Sequence, residues 1–366
     1  MDVLDAVLSR FPIEGTLSNV HGHGSGNINS TFIVTTFIAE TAETKQYILQ
    51  KINTNVFSKP FVLMRNIDSV TQFCRESILK NGGDPERETL NIVKTDDGKN
   101  LCKVGGEYYR MYKFVTDCDV FNQLESPEMF GSAGKAFGRF ARLLDGYPIE
   151  ELDETIPDFH NSKVRYRNFL RDIRHDPCGR VADVLPLIEK IKSRFFDLTR
   201  IVDYMEVGEI PTRVTHNDTK ISNVLFDKNS GDALCVIDLD TVMPGSILFD
   251  FGDAIRSGAS TQPEDGPNPK LDINYFWAFA ENYLKETHDI LRPMEIKNLA
   301  FACRTITLEL AMRFLNDYIN GDTYFRCEFE DHNLVRAVNQ LRLLESMEER
   351  FDEMEWAIDQ IVKELQ

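Results

Sequence analysis

Residues 214–226 read VTHNDTKISNVLF, and a second stretch at residues 236–240 reads VIDLD. These stretches place Asp218 five residues before Asn223 and twenty residues before Asp238, which closes an apolar run. Short β-type runs flank both polar clusters, and polar loops beside buried strands are common positions for catalytic side chains. The pattern therefore predicts that these three side chains form a functional site.

The order and spacing of the three residues indicate phosphoryl transfer. Protein kinases carry a base aspartate, an asparagine at the same five-residue offset and a later aspartate that binds Mg²⁺. This chemistry needs mainly positioning and charge neutralisation, which a carboxylate and hard oxygen ligands supply. We therefore predict Asp218 as the catalytic base and Asn223 and Asp238 as Mg²⁺ ligands, with His216 bracing the loop through a hydrogen bond.

A simpler interpretation is that these polar residues only cap turns, because Asn and Asp are frequent in turns and at helix starts. That interpretation explains a single His-x-Asp pattern well. It explains less well the presence of Asn223, Asp238 and the flanking strands together, so we favour the catalytic interpretation.

A glycine cluster, Gly22, Gly24 and Gly26, lies between two strand-like runs upstream of the catalytic pattern. Glycine lets backbone amides approach an anion closely, so we predict a phosphate-covering hairpin with Gly24 and Gly26 at the nucleotide. The cluster lacks the Gly-Lys-Ser/Thr ending of a P-loop, and no helix pattern follows it as in a dinucleotide-binding fold. A plain flexible turn is the alternative for the cluster taken alone.

Apolar residues alternate in the first third of the chain and recur mainly with helical spacing in the remainder. We therefore predict an α+β, protein-kinase-like two-lobed fold, with an N-terminal antiparallel sheet lobe at residues 1–117 and a larger helical C-terminal lobe at residues 118–366. The predicted strands lie within 16–55 and at 90–94, 100–104 and 107–115, and the predicted helices lie at 61–80, 128–145, 162–174, 182–204, 272–287, 293–320 and 331–365.

Two further segments bear on the site. Residues 108–116, YYRMYKFVT, lie where the sheet-rich part meets the helical part, so we predict a hinge whose backbone at Tyr112 and Phe114 pairs with an adenine edge. An ordinary strand that packs its aromatics is the alternative. In the segment FDFGDAIR at 249–256, we interpret Asp250 or Asp253 as capping a helix and buttressing the catalytic loop.

The composition fits a folded protein of enzyme size and excludes several partners. Lys and Arg number 41 against 59 Asp and Glu, and the net charge of −18 repels nucleic acid and anionic membrane surfaces. The seven cysteines are dispersed and form no C-x-x-C pair, so neither a disulfide framework nor a zinc site is indicated. The first residues, MDVLDAVL, do not resemble a signal peptide, and no apolar run reaches about 18 residues. We expect a cytoplasmic monomer without nucleic-acid or membrane partners.

Several strings resemble the aminoglycoside/choline-kinase-like phosphotransferases and, within them, the bacterial N-acetylhexosamine 1-kinases. The resemblance extends over nearly the whole chain. The strings that look most specific to this subgroup are THNDTK at 215–220 and DLDTVMPGS at 238–246. Shorter matches are NSTFIVTT at 29–36, YILQ at 47–50, YKF at 112–114 and MRFL at 312–315.

This resemblance implies a kinase that uses ATP and Mg²⁺ to phosphorylate the anomeric hydroxyl of N-acetylglucosamine or N-acetylgalactosamine. It implies that the acceptor sugar contacts Asp218, Asp240, Arg313 and Tyr324, and that Asn29 lies at the nucleotide. From helical spacing alone, Arg313 and Tyr324 are more often surface or packing residues. The resemblance is what raises them to candidate acceptor contacts.

Two positions depart from the family pattern. The strand that normally carries a phosphate-binding lysine reads Leu49-Gln50-Lys51, so Lys51 is the candidate and the sequence leaves open whether it serves. Asn27 stands in the glycine loop where relatives carry a histidine, and we assign it to the nucleotide as well.

Two other functions stay open at this level. The same fold could phosphorylate a cationic acceptor such as an amino alcohol, homoserine or an aminoglycoside, which would suit the negative net charge. A catalytically silent kinase fold could bind a nucleotide or sugar as a sensor. The intact Asp218, Asn223 and Asp238 argue against a silent relative, because such a protein has no chemical need for all three.

Overall fold

A computed structural model describes residues 3–23 and 28–366 of the chain. The chain divides into two compact units. The first unit comprises residues 1–119, 146–156 and 225–243, and the second comprises residues 120–145, 157–224 and 244–366.

The first unit is built on a five-stranded antiparallel sheet, as the alternating pattern predicts. The strand order is β1-β2-β3-β5-β4. Apolar side chains from alternate positions of the central strands, including Val34, Leu49 and Met111, are fully buried against the N-terminal helix α1. The strands are β1 (Thr16–Gly22), β2 (Ser30–Ile38), β3 (Glu43–Ile52), β4 (Cys102–Val104) and β5 (Glu107–Lys113), and α1 is Val3–Leu8.

Helix α2 (Pro60–Lys80) follows β3 along the chain and confirms the helix predicted at 61–80. Pro60 takes the first helical position, where a missing N–H costs nothing, and Gly82 follows the end with a positive φ of 75°. The predicted strand at 90–94 is wrong, because only an isolated bridge between Ile92 and Tyr112 forms there. A short helix, α3 (Pro85–Glu88), precedes that segment.

Two small sheets flank the polar stretches at residues 214–226 and 236–240. One contains β6 (Cys118–Asp119), β8 (Val224–Asp227) and β9 (Ala233–Val236), in the order β6-β8-β9. The other pairs β7 (Arg213–Thr215) with β10 (Met243–Gly245). The VIDLD stretch begins at the last residue of β9. Asp238 has a left-handed backbone (φ 61°) and precedes a 3₁₀ turn at Leu239–Thr241.

The second unit is mainly helical and centres on α10, most of whose side chains are buried. Helices α4 and α9 approach so closely that a Cβ at Gly134 would lie 2.6 Å from the backbone oxygen of Phe279. Its larger helices are α4 (Pro127–Leu143), α5 (Ser162–His175), α6 (Leu185–Lys192), α7 (Phe195–Glu206), α8 (Ile247–Gly258), α9 (Ile273–Thr287), α10 (Pro293–Ile319), α11 (His332–Glu349) and α12 (Phe351–Leu365).

Two predicted helices are each divided in the structure. The helix predicted at 182–204 is interrupted between α6 and α7, and the one predicted at 331–365 is interrupted at Arg350, whose φ and ψ are −108° and 15°. The apolar seam of the last segment is buried within the chain, with Leu341, Leu344 and Met347 almost inaccessible. These side chains therefore pack within the chain. None of the helices that the structure describes is long and apolar enough to cross a membrane.

Candidate active site

The loop that follows β7 carries the predicted base. Asn217 has a left-handed backbone (φ 64°), which turns the chain sharply after Thr215. Gly245 packs against this turn so tightly that a Cβ there would lie 2.4 Å from the Thr215 Oγ1 atom. A side chain at that position would displace the strand end from which the catalytic loop begins.

The carboxylate of Asp250 anchors the catalytic loop. Its two oxygens accept hydrogen bonds from the backbone N–H groups of His216 (2.8 Å) and Asn217 (2.7 Å), and its backbone oxygen accepts one from the Thr219 hydroxyl (2.6 Å). Burial raises the pKa of Asp250 to about 6, against the opposing influence of His216 and these hydrogen bonds. The predicted buttressing role is therefore confirmed, although the N-cap of α8 is Ser246.

His216 braces the loop as predicted. Its Nδ1 atom accepts a hydrogen bond from the backbone N–H of Asp218 at 3.2 Å. The imidazole is fully buried, with the rings of Phe137 and Phe140 edge-on at 5.9 Å each. The aromatic packing fixes the ring, so the backbone of Asp218 is held in place.

The Asp218 carboxylate has two close partners. Oδ2 lies 2.8 Å from the Lys220 ammonium and accepts a hydrogen bond from the Asn223 side-chain amide at 2.9 Å. Burial would raise the pKa of Asp218, but Lys220, His216 and Asn223 outweigh it and hold the pKa below its usual value. Asp218 is therefore ionised at neutral pH and can accept a hydrogen bond from a hydroxyl. Lys220 was missed in the sequence, where its only signal is its place two residues after the base.

The predicted Mg²⁺ ligands have donor chemistry that fits the ion. The Asn223 amide nitrogen donates to both the backbone oxygen and Oδ2 of Asp218, which orients it as a donor and leaves the amide oxygen as the ligand atom. Asp238 supplies a carboxylate from the turn after β9. Among the residues that the structure describes, no group of three or more His, Cys, Asp or Glu forms a metal cluster. A Mg²⁺ ion held largely by nucleotide phosphates and water needs few protein ligands.

In the first unit, Asn29 and Asp240 are brought together. The Asn29 amide donates to Oδ2 of Asp240 at 2.6 Å, and its oxygen accepts the backbone N–H of Asn53 at 3.0 Å. Oδ1 of Asp240 forms an ion pair with Arg110 at 2.5 Å, and Arg110 also donates to Gln50 at 2.9 Å. Arg110 is the residue that sequence reasoning missed here, because nothing in the local pattern marks it.

Of the other predicted nucleotide residues, Tyr112 packs beside this cluster, with 5.3 Å between its ring centre and the Arg110 Cζ. Lys51 is partly exposed, and its ammonium is 3.7 Å from the Glu107 carboxylate. The Tyr112 side chain is buried, which raises the pKa of its hydroxyl, and the Phe114 N–H already donates to the Gln46 oxygen at 3.2 Å. Gly24, Gly26 and Asn27 lie outside the described residues.

The second unit contains a cavity of about 490 Å³ that both Arg313 and Tyr324 line. Arg313 lies on α10, with its guanidinium 6.0 Å from the ring centre of Tyr324. Arg165 on α5 lines the same cavity, and burial together with Arg313 lowers its pKa to about 10. Glu309, one helical turn before Arg313, is fully buried, with its Oε1 3.7 Å from Arg313 and 3.8 Å from Arg165.

The acidic residues of the cavity wall are already engaged. Asp172 pairs with Arg171 and accepts hydrogen bonds from Asn316 and Asn320. The oxygens of Asp317 accept the backbone N–H groups of residues 323–325 and the side-chain amide of Asn333, which fixes the segment that carries Tyr324. Three arginines line the same cavity: Arg171 pairs with Asp172, and Arg165 and Arg313 share the buried Glu309 as their counter-ion.

A series of contacts links the cavity to the catalytic loop within the second unit. Oε1 of Glu309 is 2.9 Å from Nδ1 of His160, whose ring packs on Phe249 with 5.1 Å between ring centres. Asp250, the next residue, holds the backbone of His216. Glu309, His160 and Arg165 carried no recognisable signal in the sequence, because their association is made by tertiary packing.

Known proteins are similar to this chain in sequence and in fold. A model of the phosphotransferase enzyme family matches residues 20–286. A solved aminoglycoside phosphotransferase from Alicyclobacillus acidocaldarius is similar at a TM-score of 0.61 and 14% identity, over 95% of this chain and 96% of that one. A choline/ethanolamine kinase family protein from Mesorhizobium loti is similar at 0.57 and 15%, over 98% and 99%. A spectinomycin phosphotransferase, solved with ADP and spectinomycin, is similar at 0.54 and 13%, over 96% and 98%. These likenesses confirm the predicted α+β, kinase-like fold.

Proposed function

The chain belongs to the phosphotransferase enzyme family, and from this premise we propose that it is a kinase that uses ATP and Mg²⁺ to phosphorylate the anomeric hydroxyl of N-acetylglucosamine or N-acetylgalactosamine. The product is the sugar 1-phosphate. We place the enzyme in the cytoplasm as a monomer. Asp218, Asn223, Asp238, Arg313 and Tyr324 are the residues on which the proposal depends most directly.

Asp218 acts on the acceptor hydroxyl. Its carboxylate accepts the hydroxyl proton as the oxygen bonds to the γ-phosphorus and the bond between that phosphorus and the ADP oxygen breaks. Lys220 and Asn223 hold the carboxylate in place and ionised, which is the protonation state a base requires. Asn223 and Asp238 would hold Mg²⁺, which neutralises charge on the phosphates.

The single observation that favours a neutral sugar is the arginine-lined cavity of the second unit. Arg165 and Arg313 line this cavity and share Glu309 as their counter-ion, while the cavity's Asp172 and Asp317 are engaged by other protein groups. A cationic acceptor placed there would meet like charge, whereas guanidinium groups donate readily to sugar hydroxyl and amide oxygens. A volume of about 490 Å³ lies within the usual range for small-molecule sites.

Asp240 and the nucleotide residues enter the proposal by resemblance. Asp240 would share its charge between the acceptor, Arg110 and Asn29. Gly24, Gly26, Asn27 and Asn29 would lie along the nucleotide, with the backbone at Tyr112 and Phe114 near its base, whereas Lys51 meets Glu107 and is left out of the proposed nucleotide contacts.

Initial rates of ADP release across a panel of acceptors test the acceptor class. The panel contains N-acetylglucosamine, N-acetylgalactosamine, choline, ethanolamine, homoserine and one aminoglycoside, each with ATP and Mg²⁺. We expect kcat/KM for an N-acetylhexosamine to exceed that for every cationic acceptor by about a hundredfold. A cationic acceptor that is turned over fastest would retain the kinase chemistry and overturn the neutral-sugar proposal.

A further inference from the structure

We propose that Arg110, and not a lysine of β3, is the cation that positions the metal-binding turn at Asp238, and that it acts through Asp240. Arg110 is a positioning residue in this account. The inference rests on the proposed function, because Asp238 is a proposed Mg²⁺ ligand.

The two faces of the sheet separate Arg110 from Lys51. Gln50 and Arg110 are direct partners across the antiparallel β3–β5 pair, so their side chains lie on the same face, and they share a hydrogen bond of 2.9 Å. Lys51 is one residue further along β3 and therefore points to the opposite face, where it meets Glu107. A lysine at position 51 is on the wrong face to reach Asp240.

The Arg110 guanidinium is held on several sides. It is 1% exposed, with Nη1 2.5 Å from Oδ1 of Asp240 and its Cζ 5.3 Å from the ring centre of Tyr112. Burial would lower its pKa, but the Asp240 carboxylate outweighs burial and raises the pKa above its usual range. A permanently charged group is therefore fixed beside the turn.

The same network fixes the backbone of the turn. Asp240 accepts from Asn29 through its carboxylate and from the Thr155 hydroxyl through its backbone oxygen at 3.2 Å. Asp238, two residues earlier, has a left-handed backbone with a φ of 61°, a conformation that Asp adopts more readily than most L-residues. Removal of the Arg110 charge leaves Asp240 buried without this counter-ion, so the turn loses one of its anchors.

Binding of ADP, measured by titration calorimetry with Mg²⁺ and again with EDTA, tests this inference without turnover. For Arg110→Met we expect Mg²⁺-dependent ADP binding to weaken at least about tenfold, with ADP binding in EDTA within about twofold of wild type. Arg110→Lys should fall between, because an ammonium cannot bond Asp240 and Gln50 in the same fork geometry. Lys51→Met should bind Mg·ADP within about twofold of wild type.

A matched control separates positioning from general loss of stability. Arg256 is also buried and pairs with Asp253 and Glu264 in the second unit. Arg256→Met should lower the melting temperature yet keep Mg²⁺-dependent ADP binding. If Arg110→Met does not fold, the order of Arg110→Lys against Lys51→Met decides.

The outcomes are distinct. Wild-type Mg·ADP binding in Arg110→Met, or a larger loss in Lys51→Met than in the Arg110 variants, overturns the inference. Failure of the wild-type protein to bind Mg·ADP at all overturns the proposed function itself, whatever the variants do.

Discussion

At the scale of single residues, Asp218 is the group on which the chemistry depends. Asp218→Asn keeps the shape of the side chain and removes its ability to take a proton. We expect kcat to fall by at least about a hundredfold, while ADP binding measured by calorimetry stays within about twofold of wild type. Asp232→Asn, a change at an exposed carboxylate, serves as the control and should retain wild-type kcat. Full turnover in Asp218→Asn would remove the base from the mechanism.

The raised pKa of Asp250 leads to a prediction for how the free energy of unfolding depends on pH. Its pKa is raised to about 6 in the folded protein against about 3.9 when unfolded, so the folded state binds the proton more tightly. The stability that this group contributes is present at low pH and is lost as the pH rises from about 4 to about 6. Asp250→Asn cannot ionise, so its free energy of unfolding should fall less than that of the wild type over this range. Urea unfolding at pH 4, 5, 6 and 7 measures the difference, and equal pH slopes would contradict the prediction.

The residues of the site differ in how far the sequence could identify them. Asp218, Asn223 and His216 belong to one short pattern whose spacing reflects the chemistry, and the structure places all three in one hydrogen-bonded loop. Arg110 and Glu309 belong to no local pattern. Their roles come from partners far away in the chain, such as Asp240, 130 residues after Arg110, so only the folded structure exhibits them.

At the scale of elements, α10 offers a matched pair of buried glutamates. Glu309 holds Arg313 and Arg165 at the cavity, whereas Glu295 holds Arg213 through two bonds of 2.8 and 2.9 Å. We expect Glu309→Gln to raise the acceptor KM about tenfold and to leave the ATP KM unchanged, because the two guanidinium groups lose their common counter-ion.

Glu295→Gln is the control for that prediction. It removes an equally buried charge from the same helix, so it should lower the melting temperature without a selective change in the acceptor KM. Steady-state kinetics with each substrate varied in turn separates the two effects. Equal changes in the acceptor KM and the ATP KM in Glu309→Gln would reduce Glu309 to a purely structural residue.

The helices also show where periodicity is informative. An apolar stripe with steps of three and four predicts α2 and α10 closely, because each stripe lies on one continuous helix. It does not detect the interruption at Arg350, where a single non-helical residue separates α11 from α12 and the stripe continues on the next helix. The strand predicted at 90–94 fails for a different reason. This apolar run pairs with β5 only through the isolated bridge at Ile92, and a run without a full strand partner forms no strand.

At the scale of the whole molecule, the α+β class and the antiparallel sheet could be predicted from alternation in the first third of the chain and helical spacing in the remainder. The sequence could not predict that residues 225–243 belong to the first unit. This membership depends on contacts such as the one between Asn29 and Asp240, which are 211 residues apart, and periodicity carries no information on pairings at that distance.

The position of the phosphate on the product distinguishes an anomeric kinase from the alternative kinases. The protein is incubated with ATP, Mg²⁺ and N-acetylglucosamine or N-acetylgalactosamine, and the product is examined by phosphorus NMR. We expect a sugar phosphate whose phosphorus couples to the anomeric proton. Phosphate on the primary hydroxyl of the sugar, or transfer only to an amino alcohol or aminoglycoside, would contradict this expectation.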